Sequence, residues 1–229
     1  MPVFNEENLV VKAIKEVVKT KIYGFKKELI IVDDGSTDKT YKNIRSYKRI
    51  HVSGKTAIKI VKKSRNMGKG AAIRSGVKVA TGQIIIIQDA DLEYSPKEIV
   101  KLIKPIKLGY ADVVYGSRFM GGAPHRVLFF WHMVANKLLT LISNSVTNLN
   151  LTDMETGYKA FKSSVIKKIQ IRENRFGFEP EITAKIAKLN CRVYEVGISY
   201  KGRKYDQGKK INWKDGFWAL WCILRYNLL

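Results

Sequence analysis

Acidic residues are scarce in this chain. Against 42 lysines and arginines stand 20 aspartates and glutamates, so the 229 residues carry a formal charge of +22. An excess of that size suits an anionic partner: nucleic acid, lipid headgroups or phosphorylated small molecules, with a solvated lysine-rich surface as the plain alternative. Cysteine is scarcer still. Cys191 and Cys222 are far apart and show no C-x-x-C spacing, which excludes a disulfide framework and a thiolate metal site and points to reduced thiols in a cytosolic compartment. No apolar run is long enough to span a bilayer and no signal peptide precedes the first motif, so any membrane contact is expected to be peripheral. Low-complexity sequence is missing too; with 45% hydrophobic residues the chain can bury a substantial core, as one large domain with an appendage.

What is present is a series of short apolar runs, each ending in carboxylates. Pro2 to Phe4 reads as the tail of a strand, with Asn5 positioned to cap a helix over 8–20. Leu29 to Val32 ends in Asp33-Asp34-Gly35-Ser36-Thr37-Asp38, followed by a helical pattern to Tyr47. Ala57 to Val61 runs into Arg65-Asn-Met-Gly68-Lys69-Gly70 and a small-residue helix over 71–80. This turn is neither a P-loop nor a dinucleotide fingerprint, although Lys69 and the helix N-terminus suit a phosphate. The run Ile84 to Ile87 reads as a strand buried on both faces at the middle of an α/β domain, and it ends in Gln88-Asp89-Ala90-Asp91-Leu92-Glu93. Carboxylates two residues apart at the carboxyl end of such a strand suit a hard divalent cation, Mg²⁺ or Mn²⁺, that takes its remaining ligands from substrate phosphates; an acidic turn is the plain alternative. Ser95-Pro96-Lys97-Glu98 has the form of a capping box opening a helix to about Leu108, and Asp112 to Tyr115 is the next strand. Strand-helix alternation over this half predicts βαβ units, a mainly parallel sheet and helices on both faces.

The character changes at Gly116-Ser117-Arg118. A glycine-rich loop to Arg126 leads into a helical pattern over 127–149, where His132, Asn136, Thr140, Ser143 and Thr147 recur at helical spacing while Phe129, Phe130, Trp131, Met133, Val134, Leu138, Leu141 and Ile142 cover the other sides. Such a helix fits the headgroup region of a membrane or an acyl chain, and equally a packed core. Arg118 and Arg126 flank the loop, where they suit a phosphate clamp. Asp153 to Phe161 predicts a turn and strand, Phe176 to Glu181 opens a helix, and Val193 to Tyr200 is a last strand. The basic, glycine-broken stretch over 201–210 suits a loop closing on a polyanion, and the helix over 213–228 carries Trp213, Phe217, Trp218, Trp221, Leu224 and Leu228, a set that fits the membrane interface and equally a helix docked on the domain.

Taken in order, PVFNEE, VDDGSTD, NMGKGAAIRSG, DADLEYSP, GSR, ETGYKAF and FEPE resemble the family 2 glycosyltransferases, and within them the polyprenyl- or dolichyl-phosphate hexosyltransferases. The resemblance implies a GT-A fold, a Rossmann-like mainly parallel mixed sheet flanked by helices. A nucleotide-sugar-binding half (1–116) would be joined to an acceptor-side half (117–229) with amphipathic interface helices, all in one domain. It implies a metal-dependent, inverting transfer of a hexose, mannose or glucose, from a GDP- or UDP-sugar to a lipid phosphate. Pro2, Phe4, Glu6, Asp33 and Asp34 would hold base and ribose, with Lys69, Asp89 and Ala90 beside them; Asp89, Asp91 and Glu93 would hold Mg²⁺ or Mn²⁺ on the diphosphate; Arg203 and Lys209 would close over it. Asp91, Arg118, Asp153 and Glu155 are the expected catalytic residues, and Arg118 and Arg126 the acceptor-phosphate ligands. A lipid phosphate is already largely ionised at neutral pH and needs placement more than a base, whereas a sugar hydroxyl needs one, for which Asp153 or Glu155 stands in the right region.

The expected setting is therefore the cytoplasmic face of an anionic membrane, with a membrane-protein partner possible and no nucleic acid, since no helix-turn-helix, zinc or RNP-type signature is present. A family 2 enzyme with a sugar-hydroxyl acceptor and, more remotely, a basic membrane- or polyanion-binding module are the alternatives.

Overall fold

The computed structural model describes residues 1–50, 56–121, 126–127, 129–203 and 213–229. Lys209, most of the basic stretch over 201–210 and most of the glycine-rich loop before Arg126 lie outside the described residues.

Two sheets carry the chain. The first is wholly parallel, in the order β1 (Pro2–Val3), β2 (Lys27–Asp33), β3 (Thr56–Lys62). The second is mixed, in the order β4 (Ile84–Ile86), β6 (Lys159–Lys162), β5 (Val113–Ser117), β7 (Val193–Gly197); β6 runs antiparallel to both β4 and β5, while β5 and β7 are parallel. Between them come α1 (Val10–Lys19), α2 (Thr40–Ile50), α3 (Lys69–Val79), α4 (Ile99–Lys107), α5 (Phe130–Thr147), α6 (Ser163–Ile166), α7 (Phe178–Lys188) and α8 (Trp213–Leu228).

Alternation along the strands divides the apolar side chains between layers. On the first sheet, Leu29 and Ile31 pack with Val10, Ile14 and Val17 of α1 and Ile44 of α2. On the second, Val113 joins Ile73 of α3, Phe178 and Ile182 of α7 and Ile223 of α8, while its neighbour Val114 joins Leu102, Ile103 and Ile106 of α4 on the opposite face. The expected helix-covered α/β architecture is present.

Three local expectations need correction. The isoleucine run packs on both faces, Ile85 and Ile87 into one core and Ile84 and Ile86 into another, but it is not a fully buried central strand: β4 is three residues long, pairs only with β6 among the described strands, and Ile84, Ile85 and Ile86 are each partly exposed. Asn5 does not cap α1. It takes a left-handed conformation (φ 49°), and its side chain accepts a hydrogen bond from Thr37 N at 2.9 Å, joining two loops instead. The Ser95 side chain makes no cap bond, and Glu98 turns away to Ser199 Oγ (3.1 Å) and Lys101 (2.7 Å); only Pro96 at the first helical position behaves as its sequence suggests.

The turn before α3 is shaped by close backbone approach. Gly68 has φ 101°, and a Cβ there would lie 2.5 Å from the Asn174 carbonyl oxygen; one on Gly70 would lie 2.3 Å from that of Glu173. Ala71 N donates to Asn174 O at 3.0 Å, so segment 173–174 closes directly on the helix N-terminus. Gly68→Ala is expected to lower stability by about 1–3 kcal/mol through backbone strain and the clash. A lowered urea midpoint with unchanged slope is the measurement that checks it.

Candidate active site

The carboxyl ends of β2, β4, β5 and β7 open on the same edge of the fold, where ligands of open α/β sheets bind. Because β6 is antiparallel, the segment before it, 153–158, arrives at that edge as well. The site residues therefore come from both ends of strands.

At the end of β2 the two aspartates have different surroundings. Asp34 accepts hydrogen bonds from Lys63 Nζ (2.6 Å), Met67 N (3.0 Å) and Gly68 N (2.6 Å), which commits it to holding the turn before α3. Asp33 is fully buried, and neither carboxylate oxygen has a hydrogen-bond partner among the described residues. Buried polar atoms are nearly always satisfied, so such a pair of acceptors is characteristic of a ligand site. Pro2 and Val3 lie alongside, pairing with Val32 and Asp33, and partly buried Phe4 follows them. Ala90 is buried with the first sheet's core and offers no side chain to a ligand.

The carboxylates after β4 also divide. Asp89 Oδ2 lies 3.0 Å from Lys69 Nζ, and Lys69 in turn lies 3.2 Å from Glu179 Oε1. Glu179 Oε2 pairs with Lys159, a wholly buried lysine that also donates to the Met154 carbonyl at 3.0 Å and has the Tyr115 ring 4.8 Å from its Nζ. Burial alone would lower the Lys69 pKa, but Asp89 and Glu179 outweigh it and hold the ammonium charged, above the ordinary lysine range. Lys69 is thus held between two carboxylates. Lys159 is the opposite case: burial keeps it below the ordinary range despite Glu179.

Glu93 is committed as well. Its carboxylate accepts Tyr200 OH (2.9 Å) and Arg203 N (2.8 Å), and its carbonyl accepts Lys201 N (2.9 Å), which fastens the chain after β7 onto the Asp89–Glu93 loop. Asp91 is less constrained: Oδ1 accepts Glu93 N at 3.1 Å and Oδ2 stands 3.5 Å from Arg203 Nη2. Burial, with the charges of Asp89 and Glu93, pushes its carboxyl up to about 7. The Arg203 guanidinium lies among Asp91, Glu93 (3.7 Å) and Glu6 (3.4 Å).

Among the described residues no three His, Cys, Asp or Glu side chains form a closed metal cage. The donor set nevertheless fits a hard divalent cation held through Asp91 and completed by substrate phosphate oxygens, in a field that Asp89 and Glu93 make negative. Glu93 already accepts a hydrogen bond on each oxygen and is tied to the chain after β7, which leaves it less free than Asp91.

On the other side of the mouth, Arg118 is gripped by Asp153: Nε to Oδ2 and Nη2 to Oδ1 are both 2.7 Å, and Arg118 N reaches Oδ2 at 3.0 Å. Asp153 is fully buried, and its three hydrogen bonds all come from Arg118, an arrangement suited to orienting an arginine. Tyr200 lies between the two arginines: its ring is 5.3 Å from the Arg118 guanidinium, and its carbonyl accepts Arg126 N at 2.9 Å. Arg126 Nη1 continues to the Gly202 carbonyl at 3.0 Å. Glu155 stands near Glu179, Lys159 and Arg118; burial and Glu179 push its carboxyl up to about 7, and its Oε1 is buried without a partner among the described residues.

Helix α5 borders this side, with Thr140 Oγ1 accepting Met154 N at 3.2 Å. Thr140 and Ser143 of the polar stripe are buried, and Leu139, Ile142 and Val146 pack against the core beside them, whereas Trp131 is 76% exposed and Phe130, Leu138 and Leu141 stand in solvent with it. Helix α8 packs on α5 and turns Phe217, Trp221, Leu224 and Leu228 outward.

A sequence model of glycosyl transferase family 2 matches residues 1–170. The chain belongs to glycosyl transferase family 2. Dodecaprenyl-phosphate galacturonate synthase of Rhizobium johnstonii is 28% identical over 91% of this chain and 60% of its own length. Dolichol-phosphate mannosyltransferase of Pyrococcus furiosus is 28% identical over 92% and 59%. The family 2 chain described here thus spans about 60% of each of these relatives. The fold is shared with glucosyl-3-phosphoglycerate synthase of Mycobacterium tuberculosis, with a TM-score of 0.73 at 16% identity, covering 99% of this chain and 77% of that one. Family membership displaces the binding-only module as a reading of the basic charge.

Glu179, Lys159 and Tyr200 escaped the assignment of roles from sequence. The signal for Lys159 was present, since a lysine between Tyr158 and Ala160 in an apolar strand needs a buried partner, but that partner is twenty residues on.

The carboxyl of Glu155 keeps its proton to about pH 7 in the folded chain, against about 4.3 in an unfolded one. Between those limits the folded state binds the extra proton, so this contribution to stability is full below the lower limit and is lost as pH rises towards the upper, by at most about 1.4 kcal/mol per unit. Glu155→Gln is expected to flatten that decline, measured as urea midpoints at about pH 4.5 and about pH 7.5; an unchanged pH dependence would contradict it.

Proposed function

We propose that the chain is an inverting hexosyltransferase that moves mannose or glucose from a nucleotide-diphosphate sugar to a polyprenyl or dolichyl phosphate. The observation that carries this reading is the outward side of α5 beside the Arg118 side of the mouth: exposed Phe130, Trp131, Leu138 and Leu141 near an oriented guanidinium suit an acceptor with a greasy chain and an anionic head. The names of the Rhizobium and Pyrococcus relatives support it, since both concern polyprenyl-type phosphates.

On the donor side, Asp33 offers two unpaired acceptors for base or ribose, flanked by Pro2 and Phe4. The Mycobacterium synthase was solved with Mn²⁺ and uridine diphosphate, in keeping with a cation seated here through Asp91. When bound, such a cation supplies Lewis-acid stabilisation of the diphosphate. The chain's own residues do the rest. Arg203, now among Glu6, Asp91 and Glu93, is placed to exchange carboxylates for diphosphate oxygens, with Lys209 as its partner from the same basic stretch. Arg118, oriented by Asp153, and Arg126 hold the acceptor phosphate. One of its oxygens forms the bond to the anomeric carbon on the face opposite the diphosphate, as the bond to the leaving oxygen breaks and the nucleoside diphosphate departs with the electron pair. No proton need be removed from an ionised phosphate, which agrees with Asp153 having both oxygens engaged.

The chain rests on an anionic membrane surface, on its cytoplasmic side, through the outward faces of α5 and α8. No helix among the described residues is long and apolar enough to cross a bilayer, and the excess of basic residues complements anionic lipid. One observation favours a second reading, a sugar-hydroxyl acceptor: Glu155, with a raised pKa and an unpartnered oxygen, has the properties of a general base.

Incubation with UDP- and GDP-sugars, polyprenyl phosphate and Mn²⁺ is expected to yield a glycosylated lipid phosphate by mass; transfer only to sugar hydroxyls would overturn the reading. Asp91→Asn is expected to reduce turnover by about 10²-fold or more, as loss of a key electrostatic group does. Arg118→Lys keeps the charge beside Asp153 but loses the fork, so KM for polyprenyl phosphate is expected to rise about tenfold with KM for the donor unchanged. Glu155→Gln separates the two acceptors, since loss of a true general base costs about 10²–10⁴-fold and loss of a bystander far less.

A further inference from the structure

Glu179 lies in the first turn of α7, beyond residues 1–170 that the family model matches. A carboxylate there is favoured by the helix dipole, yet this one is 3% exposed and turned inward between two ammonium groups. Lys159 alone would satisfy it. Instead its second oxygen stands 3.2 Å from Lys69, whose other neighbour is Asp89 at 3.0 Å. Gly157 covers that contact from a third side: a Cβ there would lie 2.6 Å from Asp89 Oδ2 and 2.8 Å from Lys69 Nζ. Lys69 is therefore confined by Glu179, Asp89 and the Gly157 backbone together. The contact with Glu179 Oε1 is an ion pair, and together with Asp89 it holds the ammonium from two sides.

We infer that Glu179 is a positioning residue for glycosyl transfer: it holds Lys69 against Asp89 and so fixes the Asp89 carboxylate, whose charge shapes the field in which the donor's cation and diphosphate are seated beside Asp91. This rests on the donor side of the proposed function. Glu179 itself touches neither substrate nor reacting atoms; it acts through Lys69, as carboxylates behind the ligands of metal sites do.

The test uses the whole chain, titrated calorimetrically with Mn²⁺ plus UDP and with Mn²⁺ plus GDP. Glu179→Gln is expected to bind whichever nucleotide the wild type prefers about 10- to 100-fold more weakly, the usual cost of losing such a supporting group. KM for the donor sugar should rise while KM for polyprenyl phosphate stays put, and Glu179→Asp should recover most of the affinity. Glu179→Gln alone leaves Lys159 buried without its carboxylate, so the double variant Lys159→Gln/Glu179→Gln, which removes both partners, is the control and decides the matter if the single variant does not fold. It should fold and bind as weakly as the single variant. Wild-type affinity in either variant, with only thermal stability reduced, would overturn the inference and leave the donor reading standing. A wild type that binds neither nucleotide would overturn both.

Discussion

Two lysines and two carboxylates alternate through the interior, Asp89, Lys69, Glu179 and Lys159, and four separate pieces of the chain meet on them: the loop after β4, the start of α3, the first turn of α7 and the start of β6. A buried charge is tolerable only when paired, and removing one member of such a pair costs about 3–5 kcal/mol. With signs alternating, each interior ion has a counter-ion on at least one side and the line is neutral as a whole. The line also runs from the protein's interior to the mouth of the site, so the packing of α7 and the setting of the Asp89–Glu93 loop are not independent.

The second constraint is the direction of one strand. A wholly parallel sheet brings to its ligand edge only the loops that leave the carboxyl ends of its strands. By running antiparallel between β4 and β5, β6 brings the loop that enters it, and so delivers Asp153, Glu155 and Gly157 beside Arg118 and Asp89. Glu195 of β7 fixes this segment in turn, accepting Thr152 N and Asp153 N at 2.9 and 3.1 Å. Arg118, the proposed acceptor-phosphate ligand, is consequently oriented by a wholly buried aspartate, which sets its direction more tightly than that of an arginine on a surface loop.

The outward helices are tied to the same centre. Glu173 accepts Trp218 Nε1 (2.9 Å) and Tyr226 OH (2.8 Å) from α8, while its backbone presses on Gly70 and the next carbonyl accepts Ala71 N. The helix that shows tryptophans to the exterior is thus one residue's length from the turn that carries Lys69. For a family 2 enzyme whose donor is polar and whose proposed acceptor is a lipid phosphate, this joins the two environments through packed backbone with no linker between them.

Much of the donor side could be read from the sequence because its determinants are local: apolar runs ending in Asp33-Asp34 and Asp89-Ala90-Asp91, a glycine turn opening α3, and a polar stripe on α5 at helical spacing. These features arise from strand and helix periodicity, which any stretch of ten or so residues displays. Pairings across the chain could not be read in that way. That Asp34 is consumed by its own turn while Asp33 is not, that Glu93 fastens the chain after β7, that Asp153 is spent on Arg118, and that Lys69 is enclosed by Asp89 and Glu179 all depend on contacts between residues 20 to 110 positions apart. The pattern of α5 likewise left open which side would face the core, because its apolar residues cover several sides: Leu139, Ile142 and Val146 pack inward while Trp131, Leu138 and Leu141 do not. The sequence by itself determined the elements, the carboxylates at their ends and the family. The tertiary structure decided which carboxylates remain available to a ligand, because availability is what is left after the distant cations and backbone amides have taken their share.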